Sequence, residues 1–139
     1  MQAKSSEKKF QGLIEEGKRE QAAINNEIVS LEKALRQRLS TGDQPLVSTG
    51  RFIWPVPKNT ITAYFRDPDY PFRAIFEHPA IDIRAAQGTT VRAADSGYVA
   101  RAKDGGARGY SYIMIVHADG LSTVYGHVNK IYVAQDSYV

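Results

Sequence analysis

Tyr110-Ser111-Tyr112-Ile113-Met114-Ile115-Val116-His117-Ala118-Asp119-Gly120-Leu121-Ser122-Thr123-Val124-Tyr125-Gly126-His127-Val128 is the stretch on which the fold of this chain turns. Tyr110–His117 is a nearly continuous apolar run, the pattern of a strand buried on both faces. Leu121–Val128 reads as a second strand. Asp119-Gly120 between them is a strong hairpin signal, because the tight turns that suit twisted strands need residues that tolerate positive φ. The stretch therefore predicts an antiparallel hairpin with a buried first strand.

Working outward, Asp104-Gly105-Gly106 places a second turn between Gly97–Lys103 and Tyr110–His117. Further strands are expected at Thr60–Phe65, Ala80–Arg84 and Thr89–Ala93. No helical periodicity separates them, so the sheet should be mainly antiparallel. Asp136-Ser137-Tyr138-Val139 reads as the start of another turn and strand, and a sheet ending there would leave an edge unpaired.

The N-terminal part differs. Phe10 is the sole aromatic residue before Gly50. Residues 8–39 read as one helix, with apolar residues at Phe10, Ile14, Ile24, Ile28, Leu31 and Leu35. From Ile24 onward their steps are four, three and four, the alternation of a coiled-coil seam. Gly17 and Gln21 weaken the seam toward the N-terminus, and a lone amphipathic helix packed on its own domain remains open as the other reading. Ser40-Thr41-Gly42-Asp43-Gln44-Pro45 carries helix stop signals. The expected division is a helical stalk at 1–41, a polar linker at 42–50 and a β domain at 51–139. The expected fold class is mainly β, an antiparallel sheet preceded by a long N-terminal α-helix.

Composition narrows the function. A chain of 139 residues supports one modest core. No run of eighteen apolar residues is present, so no membrane-spanning helix is expected. Basic residues at the N-terminus have no apolar segment behind them, which excludes a secretory signal there. The net charge is +3, and Arg66, Arg73, Arg84, Arg92 and Arg101 stand singly. This excludes the dense basic runs of nucleic-acid arms. With no cysteine, a metal would have to be held by His, Asp, Glu or water.

The three histidines are His78, His117 and His127. In His78-Pro79-Ala80-Ile81-Asp82, an imidazole and a carboxylate four positions apart converge if the chain turns between them, and both suit zinc. Taken alone, the pair is as well explained by a loop histidine and a turn-capping aspartate. Asp82 lies between Ile81 and Ile83, however, and a carboxylate buried among apolar residues wants a partner. In Val124-Tyr125-Gly126-His127, the two-residue period puts Tyr125 and His127 on one face of a strand end. A histidine there could act as general base or oxyanion donor. His117, at a hairpin tip, reads as structural or exposed. Asp67 and Asp69 read as turn formers rather than calcium ligands. Gly105–Gly109 lacks the Lys-Ser/Thr and the helix of a phosphate loop, and there is no Gly-x-Ser-x-Gly nucleophile.

The order of these pieces resembles lysostaphin/LytM-type zinc peptidases. The resemblance is carried by His78-Pro79-Ala80-Ile81-Asp82-Ile83, Gly88–Ala94, Ser96–Val99, Tyr112–His117 and Asp119–His127, with Phe52–Pro57 and Ile61–Phe65 ahead of them. It implies a zinc metalloendopeptidase that hydrolyses peptide bonds in peptidoglycan, acting in the cell envelope or outside the cell. It makes His78 and Asp82 two of three protein ligands to one Zn2+, and His127 a catalytic histidine near the water on the metal. Ala80 stands where the family usually has glycine. The family's third ligand and second catalytic histidine lie in a downstream His-x-His that this sequence does not contain. The LytM-like domain is therefore expected to be incomplete at its C-terminus and this stretch to be inactive by itself. Two other readings accompany it: a non-catalytic LytM-like regulator that activates cell-wall amidases, and a wall- or carbohydrate-binding β module. Peptidoglycan peptides are the expected partner, with a coiled-coil dimer or a cell-division or amidase partner through the stalk.

Overall fold

The computed structural model describes residues 2–42, 45–57 and 60–139. Asp43 and Gln44 of the expected stop signal and linker lie outside the described residues. A 38-residue helix, α1 (Gln2–Leu39), is followed by five antiparallel strands: β1 (Ile61–Ala63), β2 (Asp82–Ile83), β3 (Tyr98–Lys103), β4 (Tyr112–Val116) and β5 (Ser122–Gly126). The helix starts earlier than the apolar periodicity marks, because residues ahead of Phe10 such as Ala3, Lys4 and Glu7 are good helix formers with no breaker among them. Its last carbonyls are satisfied by Ser40 N to Arg36 O and Thr41 N to Arg38 O, with the Ser40 and Thr41 hydroxyls on the carbonyls of Gln37 and Arg38. Arg36 and Arg38 in the last turn complement the helix dipole.

The chain forms two compact units. The first takes the N-terminal part of α1, up to Glu27, and residues 58–85. Here β1 and β2 pair antiparallel, Ile61 with Ile83 and Ala63 with Asp82. The expected strand Thr60–Phe65 is cut to three residues because the Asp67 carboxylate caps Tyr64 N and Arg66 takes a left-handed φ of 53°. Ala80–Arg84 is likewise reduced to two residues.

The second unit takes Ile28–Pro57 and Ala86–Val139. Its sheet has the order β3-β4-β5, with both pairs antiparallel. β4 is the centre strand, so Tyr112, Met114 and Val116 are fully buried and Ile115 nearly so. The Asp119-Gly120 hairpin forms as expected, with Gly120 at φ +86° and the Asp119 carboxylate accepting from Leu121 N. Thr89–Ala93 is not a strand. The chain there makes single bonds, Arg92 N to Pro55 O and Ile53 N to Ala94 O, rather than a ladder. Residues 136–139, read from sequence as the start of another turn and strand, run antiparallel along β3, with Val99 N bonded to Ser137 O and Gly97 and Val139 exchanging backbone bonds. The last turns of α1 pack on this sheet. Leu35 is buried, the Arg36 guanidinium donates to the carbonyls of His117 (3.4 Å) and Leu121 (3.1 Å), and Arg38 donates to the Tyr98 hydroxyl (2.6 Å). The Tyr98 hydroxyl in turn donates to Asp136, and burial raises its pKa.

Asp95 pins the segment after the helix to this unit. Its buried carboxylate accepts from the hydroxyls of Ser48 and Thr49, both at 2.8 Å, and from the backbone N–H groups of Thr49 and Ser96. The Thr49 and Ser48 hydroxyls lead in lowering its pKa from 3.8 to about 2. A folded-state pKa below the unfolded one means the contribution is whole above pH 3.8 and is lost as pH falls through about 2. In urea titrations, the stability difference between the chain and Asp95→Asn should therefore be large at neutral pH and shrink across that window. A difference that does not change with pH would contradict this.

Candidate functional site

In the first unit, the segment 64–78 is a series of turns whose result is a buried histidine. The Asp67 carboxylate accepts from Tyr64 N and Asp69 N, both at 2.9 Å, and these bonds, Tyr64 first, lower its pKa. Arg66 N donates to His78 O, and Arg66 pairs with Glu77 at 3.1 Å on the surface. Tyr70 lays its ring 4.7 Å from the His78 ring, with Phe72 and Phe76 against Tyr70. His78 is 6% exposed as a result.

The His78 ring is held in one tautomer. Its Nδ1 lies 2.8 Å from the Tyr64 carbonyl oxygen, which can only accept. Nδ1 therefore carries a proton, and Nε2 faces Asp82 Oδ1 at 3.3 Å. Metal-ligating histidines commonly show this arrangement, one ring nitrogen fixed by a carbonyl and the other free for the metal. Two lone-pair atoms at that distance need a proton or a cation between them. Zinc with tetrahedral ligands at about 2.1 Å sets its donors about 3.4 Å apart. The separation found fits that span, so the pair suits two positions of one zinc. Among the described residues no group of three or more His, Cys, Asp or Glu side chains forms a metal site.

One part of the sequence reading is corrected. Asp82 is not buried between Ile81 and Ile83; its side chain is 54% exposed, and Ile81 is exposed as well. A two-residue strand in a two-stranded ribbon has too little sheet to cover both faces. So exposed a carboxylate does not require a partner, yet His78 Nε2 lies 3.3 Å from Asp82 Oδ1.

The second unit holds the other two histidines. His117 is fully buried, so the exposed alternative falls and the structural one stands. Its Nδ1 lies 2.9 Å from Ser96 O and its Nε2 2.8 Å from the Thr123 hydroxyl. That hydroxyl continues to Tyr125 OH at 2.7 Å, which accepts from Ala94 N. Phe52 packs its ring 5.0 Å from the imidazole.

His127 follows the end of β5 with a left-handed φ of 57°. The strand period therefore does not extend to it, and Tyr125 belongs with His117 instead. His127 is exposed, and no hydrogen bond or ion pair engages its ring nitrogens among the described residues. It lines a cavity of about 540 Å3 with Gly106, Ala107, Gly109, Ser111 and Asn129. Tyr110, which the sequence reading did not single out, stands edge-on to its ring at 5.0 Å and 86°. The structure thus brings His78 and Asp82 together in one unit and places His127 at a cavity in the other.

Residues 76–139 match the profile of Peptidase family M23, a stretch that contains His78, Asp82, His117 and His127. The match covers the C-terminal part of the chain and agrees with the resemblance read from its motifs. No curated protein and no solved structure gives a significant match.

Proposed function

We propose that residues 76–139, as a segment of peptidase family M23, belong to a zinc metalloendopeptidase that cuts peptide bonds in peptidoglycan at the cell envelope or outside the cell. His78 and Asp82 are two of its zinc ligands, and His127 is its catalytic histidine. The observation that carries this is the His78–Asp82 pair, 3.3 Å apart with the His78 tautomer fixed by Tyr64 O.

Zinc, when bound, supplies polarisation of the scissile carbonyl and a water whose pKa falls to about 7. The rest is work for the chain. The Tyr64 carbonyl and the Tyr70 ring hold His78 with Nε2 turned toward Asp82, so that the two would hold a metal without rotamer search. Asp82 brings a negative charge, which offsets the cation and leaves its exposed side accessible. The unengaged nitrogens of His127 are chemically suited to exchange a proton or to donate to a developing oxyanion. The cavity beside it offers room for an extended peptide.

A non-catalytic LytM-like regulator of amidases is the second reading, and the docked end of α1 suits a helical partner-binding arm. The matched donors of His78 and Asp82 favour the enzyme, since their separation fits two positions of one zinc. Isothermal titration of zinc into the 139-residue chain separates the two. With two protein donors rather than three, binding should be weak, lost in His78→Ala and in Asp82→Ala and kept in His127→Ala. Binding that survives both ligand substitutions would remove the enzyme reading's main support.

A further inference from the structure

We propose that Tyr110 is a positioning residue for His127, fixing the imidazole through ring contact alone. The proposal rests on the reading of His127 as catalytic. A histidine that must exchange protons with substrate cannot have its nitrogens tied up by the protein, so its orientation has to come from elsewhere. Here no hydrogen bond holds the ring among the described residues, and the residue sits in a left-handed conformation that non-glycine residues rarely adopt. Tyr110 supplies the constraint. Its ring meets the imidazole edge-on, centroids 5.0 Å apart at 86°, a favoured geometry for an aromatic pair.

Tyr110 is itself anchored from below. It stacks on Tyr112 at 5.7 Å and 28°, and Tyr112 is fully buried at the start of the centre strand β4. Gly126 explains how Tyr110 reaches this place. A Cβ on Gly126 would land on the Tyr110 hydroxyl, with the ring carbon bearing it 2.7 Å away. The glycine of Tyr125-Gly126-His127 is therefore the gap through which the Tyr110 ring closes beside His127. Any side chain there would push the tyrosine off. Because the contact uses the ring and leaves both imidazole nitrogens alone, it sets direction without consuming chemistry.

The test reads the imidazole of His127 directly, by nuclear magnetic resonance of its ring C–H protons in the 139-residue chain without metal or substrate, assigned by His127→Ala. The expected result is a His127 signal displaced from the position of an exposed histidine by the Tyr110 ring current. The displacement should remain in Tyr110→Phe and vanish in Tyr110→Leu. If Tyr110→Leu fails to fold, judged by loss of the dispersed Met114 methyl signal, Gly126→Ala answers the same question. It leaves the tyrosine in the chain but forces its hydroxyl and the ring carbon bearing it to shift, and the displacement should change there too. A His127 signal already at the exposed position, or one unmoved in the folded variants, would overturn the proposal without touching the peptidase reading. Conversely, zinc binding that survives both His78→Ala and Asp82→Ala would overturn the peptidase reading on which it rests, with the ring contact intact.

Discussion

His117→Ala should lower the free energy of unfolding by about 3 kcal/mol or more, whereas His127→Ala should change it by no more than about 0.5 kcal/mol. Both histidines belong to the stretch that resembles the peptidase family, where sequence reads His117 as structural or exposed and His127 as catalytic. Their surroundings differ. His117 is fully buried, and both ring nitrogens are engaged, on Ser96 O and the Thr123 hydroxyl. Truncation leaves a cavity under Phe52, strips a partner from two polar groups in the interior, and unsettles the Thr123–Tyr125–Ala94 connection behind them. His127 loses only its edge contact with Tyr110. Urea unfolding of the two variants, followed by the fluorescence of Trp54, checks this. Equal losses would mean that the buried network does not stabilise the sheet as described.

Gly97→Ala is the second large effect. Gly97 precedes β3, where that strand is flanked by β4 on one side and by residues 136–139 on the other. A Cβ there would lie 2.5 Å from Val116 O, 2.6 Å from Ile115 Cγ2 and 3.1 Å from His117 Nδ1. The nearest of these is backbone in the centre strand and cannot turn aside. The same glycine exchanges backbone bonds with Val139, so a shift of β3 away from β4 would disturb that edge too. Overpacking of this kind costs about 3 kcal/mol, at the upper end of the usual range or beyond it. Gly12→Ala is the matched control. Nothing lies within 4 Å of its added methyl, and the change inside α1 should stabilise by about 0.5–1 kcal/mol. Thermal unfolding of the two variants should therefore move in opposite directions.

The parts of the fold legible in the sequence were those fixed by local chemistry. Asp119-Gly120 marked a hairpin because the turn needs positive φ, and Gly120 has it. The apolar run ending at His117 marked the centre strand. The end of α1 was written in Ser40, Thr41 and Gly42. What could not be read depended on distant partners. Thr89-Thr90-Val91 has strand composition, yet its neighbourhood offers only single bonds to the 53–55 segment. The covering of β3 by residues 136–139 is a pairing across almost forty positions, and no local pattern announces it. Asp95 carries no local signal, because most of the groups that converge on it come from Ser48 and Thr49, more than forty positions away.

The candidate site divides along the same line. The His78–Asp82 spacing was visible, but the burial of Asp82, and with it the need for a partner, was inferred from flanking isoleucines and proved wrong. Flanking residues predict burial only when the strand lies in a sheet large enough to cover them. The Tyr64 carbonyl that fixes the His78 tautomer and the Tyr110 ring beside His127 are third-party contributions. Each is set by loop geometry, in the first case by the Asp67 turn and in the second by the missing side chain of Gly126. A tyrosine directly ahead of a buried strand was the one sequence signal for Tyr110, and it is indistinguishable from a core residue at that level.

The claim at the centre of this account is that His78 and Asp82 together hold a zinc ion. The most direct measurement is a long-range proton–nitrogen spectrum of the histidine rings recorded while zinc is added to the 139-residue chain. The account predicts that His78 Nε2 shifts with zinc while Nδ1 keeps its proton on Tyr64 O, that His117 does not move, and that Asp82→Ala abolishes the His78 shift. A His78 ring that ignores zinc, or that responds equally without Asp82, would contradict it.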